Sequence, residues 1–248
     1  MARTLRYVVA VLVALSLTSL AQPAPAQPAE SSEPGSRVLA KNRPGKASDH
    51  TWLFDQKITW PSCGELTYQI NPSKAPKGWK QLVKKAVKKV KQASKLSFRY
   101  LGKTSYKPTF LDANPAGTDI VIAFLMPNQT DMIQGATVAG QGSAASDGSW
   151  LFDGKVVLNA KVFRKMAPGF GSGPRYGIQG TTGQVVMHEI AHVIGLGHAK
   201  QQTQIMFPAA TRKPADWGAG DWSGLRELGK GGCDTRQAAG ARVVRTFS

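Results

Sequence analysis

The segment His188-Glu189-Ile190-Ala191-His192-Val193-Ile194-Gly195-Leu196-Gly197-His198 constrains this chain more than any other. It reads H-E-x-x-H-x-x-G-x-x-H and holds three of the four histidines in 248 residues. On a helix, His188 and His192 stand at i and i+4 and project from one face. Gly195 lets the backbone leave that helix abruptly, in a conformation a β-carbon resists. The chain then returns His198 to the same side. Three neutral imidazoles meeting at one point suit Zn2+, which takes nitrogen ligands at about 2.0–2.1 Å and keeps a fourth position open in hydrolytic sites. Glu189, beside the first ligand, is placed to act as general base on water at that position. The flanks agree. Thr181-Thr182-Gly183 offers a hydroxyl N-cap, and Val186, Met187, Ile190, Ala191, Val193 and Ile194 give the helix apolar faces to bury.

The ends of the chain read differently from its middle. Arg3 and Arg6 precede an apolar run from Tyr7 to Leu20, and small residues with Ala24-Pro25-Ala26 follow. This is the layout of a signal peptide over 1–26, so export is expected. Residues 27–51 are rich in Pro, Ala, Ser, Gly and Lys and read as a flexible linker or short pro-segment. The folded domain is expected over 52–233, with a basic tail at 234–248.

Cys63 and Cys233 are the only cysteines. An oxidising compartment favours their pairing, worth about 3–5 kcal/mol on the chain-entropy model. A rival reading makes Cys63 an inhibitory thiolate on the zinc. The run from Cys63 straight into a predicted strand, and the presence of a partner, favour the disulfide.

Lys and Arg outnumber Asp and Glu by 32 to 15, a formal charge of +17. Much of the excess lies in Lys77–Lys95, where Val83, Ala86, Val87 and Val90 follow helical spacing and lysines fill the rest of the circumference. Such a face is either simply solvated or attracted to a polyanion: an acidic cell-wall polymer, an anionic membrane surface or extracellular nucleic acid. Interleaved aromatics and recognition motifs for specific nucleic-acid binding are missing from it.

Hydrophobic periodicity orders the rest. Strands are predicted at Leu66–Ile70, Leu96–Leu101, Asp119–Leu125 and Lys155–Ala160, with an irregular Gly-rich edge strand at Ala136–Ser143. Helices are predicted over Lys77–Lys95, from Thr182, and over Asp221–Leu228, the last ended by Gly229. The fold class is α+β: a twisted, mixed, five-stranded sheet packed on two long helices plus a C-terminal helix.

Together, the long histidine motif and the downstream Ile205-Met206-Phe207-Pro208 resemble a metzincin metallopeptidase, closest to the matrixins. The resemblance implies a zincin fold, one catalytic Zn2+, and Met206 in the turn that floors the metal. It also implies a protein or peptide substrate lying extended along the edge strand, with Val138, Ala139, Gly140, Phe207 and Pro208 lining its path. The segment from Gly218 to Leu225 looks like the start of the family's last helix. Three departures stand out. Ala199 follows the third ligand where animal matrixins carry Ser or Thr. Only His50 remains outside the motif, so their second, structural zinc site cannot be assembled. Pro208 replaces the switch tyrosine of astacin-like relatives. A PRCG-type propeptide and a hemopexin-like domain are not recognisable. Asp147 and Asp153 flank a glycine-containing loop, but carboxylates are too sparse for a calcium cage.

The expected protein is therefore a monomeric, secreted zinc endopeptidase, extracellular or cell-wall associated. Two other classes compete: a cationic surface-binding protein with an inactive zinc site, and a peptidoglycan or amide hydrolase. Intact Glu189 argues against the first. The methionine segment and the edge strand argue against the second.

Overall fold

The computed structural model describes residues 43–234. The predicted signal peptide, the linker up to residue 42 and the tail from 235 lie outside them. Strand β1 (Glu65–Asn71) leads into helix α1 (Trp79–Ser94), followed by β2 (Ser97–Lys103), β3 (Ile120–Leu125), β4 (Gly140–Ser146) and β5 (Leu151–Asn159). Three further helices follow: α2 (Ala160–Phe163), α3 (Thr182–Ile194) and α4 (Ala219–Leu228). The sheet order is β2-β1-β3-β5-β4. Pairings β1–β2, β1–β3 and β3–β5 are parallel, and β4 alone runs antiparallel. This is the expected α+β architecture with five strands in a mixed sheet.

Burial explains the layering. All six residues of β3 are buried, as a central strand covered on both faces must be. On one face, Val83, Ala86, Val87 and Val90 of α1 and the apolar residues of α3 form the main core with Ile70, Ile120, Ile122, Phe124 and Leu158. On the other face, Ala123, Leu125 and Val157 pack under Met132, Ile133 and Phe110 from the long β3-flanking loops. Cys63 and Cys233 are bonded, with their Cα atoms 5.1 Å apart across 170 residues of sequence. No helix among the described residues is long and apolar enough to cross a membrane.

Besides shifts of one to three residues at other element ends, three boundaries differ from those read off the sequence. The Gly-rich edge strand starts at Gly140 rather than Ala136, because the Val138 and Ala139 carbonyls turn inward to Asn159 and leave the regular ladder. Strand β5 begins four residues before Lys155, since Asp153 takes a positive φ of 51° that interrupts alternation without ending the pairing. The third concerns residues 43–51, expected to be linker. They are tied down: Ala219 N–H donates to the Pro44 carbonyl at 2.9 Å, and the Arg43 guanidinium donates to the Trp217 carbonyl and stacks 3.9 Å from the Trp222 ring. Folded structure therefore starts ahead of residue 52.

Candidate metal centre

Helix α3 begins with a capping box: the Thr181 hydroxyl accepts from Gln184 N–H, and the Gln184 side chain accepts from Thr181 N–H at 2.7 Å. Every residue of α3 except His188 is buried. The helix stops at Gly195, whose φ of 115° lies in the left-handed region and whose N–H closes onto the Ala191 and His192 carbonyls. This turn delivers His198.

A second stretch of chain holds the turn in place. Gly197 N–H donates to the Thr51 carbonyl at 2.8 Å, Leu53 N–H donates to the Gly195 carbonyl at 2.8 Å, and the Thr51 hydroxyl donates to the His198 carbonyl at 2.8 Å. At Gly197 a β-carbon would sit 2.3 Å from the Trp52 carbonyl oxygen, so only glycine permits this approach.

The three histidines converge. His188 Nε2 and His192 Nε2 are 3.0 Å apart, and His192 Nε2 and His198 Nε2 are 3.2 Å apart. Meanwhile His188 Nδ1 faces the Ile205 carbonyl and His192 Nδ1 faces the Leu196 carbonyl, each at 2.7 Å. A carbonyl oxygen only accepts, so both Nδ1 atoms carry the proton and both Nε2 atoms present lone pairs. Burial lowers the pKa of all three rings, that of His188 to about 4, which keeps them neutral at physiological pH. Facing lone pairs at such distances repel unless a cation lies between them. Tetrahedral zinc with nitrogen ligands sets N···N separations of about 3.3 Å, so the donor set fits that ion. Among the described residues this is the one group of three or more His, Cys, Asp or Glu side chains able to hold a metal.

Ile205 and Met206 are anchored to this cluster through the backbone. Ala199 N–H donates to the Met206 carbonyl at 2.8 Å, next to the His198 ligand position. From the other side, buried Asp221 at the start of α4 accepts from the N–H groups of Ile205, Met206 and Gly218. Burial raises the Asp221 pKa to about 6 against the pull of those three bonds. Met206 itself is 1% exposed and belongs to the main core.

Glu189 is 6% exposed, and β4 is shaped around it. A β-carbon on Gly140 would lie 2.7 Å from Glu189 Cγ, and one on Gly142 would lie 2.2 Å from the Glu189 carbonyl oxygen. Two glycines at a spacing of two face the same way on a strand, and here they let α3 press against the sheet. Burial pushes the Glu189 carboxyl up to about 8, and a hydrogen bond from the Gly142 backbone pulls it down. Gly142 was not singled out by the sequence reading. Its signal is the Gly140-x-Gly142 repeat on one face of an edge strand.

A cleft of about 880 Å³ opens over the cluster, bordered by His188, Glu189, His192 and His198. Val138, Ala139, Gly140, Phe207 and Pro208 all line it, so the structure gathers the expected binding residues around the histidines. The two carboxylates weighed for calcium are otherwise engaged. Asp153 pairs with Lys155 at 3.2 Å and accepts from Asn114 N–H, while Asp147 accepts from the N–H groups of Ser149 and Trp150 in its own turn.

A mixed five-stranded sheet over helices, with three imidazoles meeting where one helix ends, defines the metzincin class of zinc metallopeptidases. The family model for the matrixin peptidases matches residues 59–228, and the chain belongs to this family. No curated protein matches it.

Proposed function

We propose that this protein is an exported zinc endopeptidase in which Glu189 is the general base. The convergence of three histidine Nε2 atoms in the lining of a cleft that also contains Glu189 and the start of β4 carries this reading. His188, His192 and His198 would hold the ion. Zinc bound there supplies Lewis acidity toward the scissile carbonyl and lowers the pKa of water from 15.7 to about 7.

The protein's own groups do the rest. With Zn2+ held beside it, the Glu189 carboxylate stays ionised, because the cation's charge offsets the burial that raises its pKa. It then takes a proton from the attacking water and returns it to the amine nitrogen as the C–N bond breaks. Because β4 is an edge strand, an extended peptide adds to it through backbone hydrogen bonds. The Val138 and Ala139 carbonyls already point to Asn159, so the added strand pairs from Gly140 onward, while Val138 and Ala139 contribute side chains to the cleft. Phe207 and Pro208 also line the cleft. Pro208 offers no hydroxyl, so backbone N–H groups supply the remaining stabilisation of the developing oxyanion. The Arg3, Arg6 and Tyr7–Leu20 pattern supports export.

The test uses one purified preparation. Metal analysis should give one zinc per chain, and unfolded protein should be digested without chelator but not with it. Glu189→Gln should keep the zinc and lose about 10²–10⁴-fold in rate. Stoichiometric zinc with no cleavage of any unfolded protein would overturn the peptidase reading and leave an inactive, metal-bearing surface protein. The medium of the producing cells should contain the chain cut close to residue 26; retention inside the cell with an intact N-terminus would overturn export.

A further inference from the structure

The six lysines of α1 divide into two groups with different surroundings. Lys89 donates to Asp216 and Lys85 lies 4.8 Å from the Phe170 ring, so both are engaged within the molecule. Lys80, Lys84, Lys88 and Lys91 are exposed, and among the described residues no carboxylate lies within 4.0 Å of any of them. At 100° per residue these four fall within an arc of roughly 80°, forming one stripe about 16 Å long. Exposed Lys77 and Lys95 prolong it at either end. Helix α1 contains no acidic residue and no arginine. The stripe is thus a single uncompensated row of ammonium groups, not a general scatter of charge.

We propose that this row docks the protein onto a linear polyol-phosphate polymer of the kind that coats an anionic cell wall. Successive lysines on one helix face stand about 5–6 Å apart, so a row of them can follow an extended phosphodiester chain charge by charge. Flexible ammonium groups bind phosphate as point charges and ask no fixed planar geometry of their partner; the arginine fork, which would match phosphate or carboxylate bidentately, is missing from α1. Single-stranded nucleic acid needs aromatic platforms for its bases, and the stripe has none. A membrane-surface helix needs exposed apolar side chains, and those of α1 are spent on the core. No α1 residue lines the cleft, so the docked protein keeps its cleft open.

Binding of labelled poly(glycerol phosphate) to the full chain carrying Glu189→Gln tests this independently of peptidase activity. With four to six phosphates neutralised, log K should fall against log salt with a slope of about −3 to −4. The quadruple variant Lys80→Gln, Lys84→Gln, Lys88→Gln, Lys91→Gln should bring that slope to about −1 and abolish binding at physiological salt. Arginine at the same four positions should restore it. A control removing Lys103, Lys107, Lys200 and Lys213, all exposed, should bind nearly as wild type. Unchanged zinc content and melting temperature in the stripe variant show that it folds. Should it fail to fold, the Lys80→Gln, Lys84→Gln pair decides: it should lower the slope by about 1.4, and an unchanged slope overturns the proposal. Equal losses in stripe and control variants would overturn it in favour of net charge alone. Tighter binding of oligothymidylate, heparin or phosphatidylglycerol vesicles than of the polymer would overturn it in favour of that partner.

Discussion

Gly142, outside the histidine motif, shows how finely the site depends on single atoms. Gly142 touches Glu189 through backbone, so a methyl group there has nowhere to go: its carbon would meet the Glu189 carbonyl oxygen at 2.2 Å. Gly142→Ala should destabilise the fold by about 2–3 kcal/mol, read as a lower denaturation midpoint with unchanged slope. Gly148, in an exposed turn with open space around its Cα, is not a matched control, because its φ of 89° strains any side chain. Gly64→Ala is the better comparison, with nothing near the added carbon, and should cost little. Far from the cleft, Tyr106 is held neutral chiefly by burial and also by the Asp153 and Asp112 charges, which push its pKa to about 12. The folded form therefore keeps a proton between pH 10 and 12 that the unfolded chain gives up. Stability is lost as pH rises across that window. Absorbance titration of phenolate should show Tyr106 ionising about two units later than in denaturant, with Tyr68 and Tyr100 also delayed by their burial, and Tyr106→Phe should remove the latest step.

Among elements, α3 and the Ile205–Met206 segment act together. Asp221→Ala would leave three buried N–H groups without an acceptor and should cost about 3 kcal/mol, with zinc affinity falling as the carbonyl on His188 shifts. Thr181→Ala removes one half of the α3 capping box and should cost about 1 kcal/mol by thermal denaturation, with zinc retained. The legibility of these elements follows from what carries them. Helix α3 is written in side chains, with ligands at fixed spacing, a hydroxyl cap and a stop glycine, so its span and role could be read directly. Strand β3 announced itself as an unbroken apolar run. By contrast, the start of β4 is set by where the Val138 and Ala139 carbonyls point, and β5 continues through Asp153 by backbone pairing alone. Side-chain patterning is silent on both. The stretch around Thr51 is no more legible, since two of its three bonds to the His198 turn are main-chain to main-chain.

For the molecule as a whole, the Cys63–Cys233 bond closes nearly all of the folded region, with a sequence separation of 170 between its ends. Breaking it with a Cys63→Ser, Cys233→Ser pair should lower stability by up to about 5 kcal/mol, seen in denaturant titration of zinc-loaded protein. The pairing was readable because two thiols allow a single intramolecular choice. The start of the folded region was not, since Pro, Gly and Lys between 43 and 51 carry no periodicity, and their contacts lie on distant elements. That stretch has a practical meaning for proteolysis. Trimming the chain anywhere before Arg43 spares every bond described between residues 43–53 and the histidine turn. A cut between Thr51 and Leu53 would split the short ladder at Gly195–Gly197 and take from His198 the backbone ties that steady it beside the other two rings.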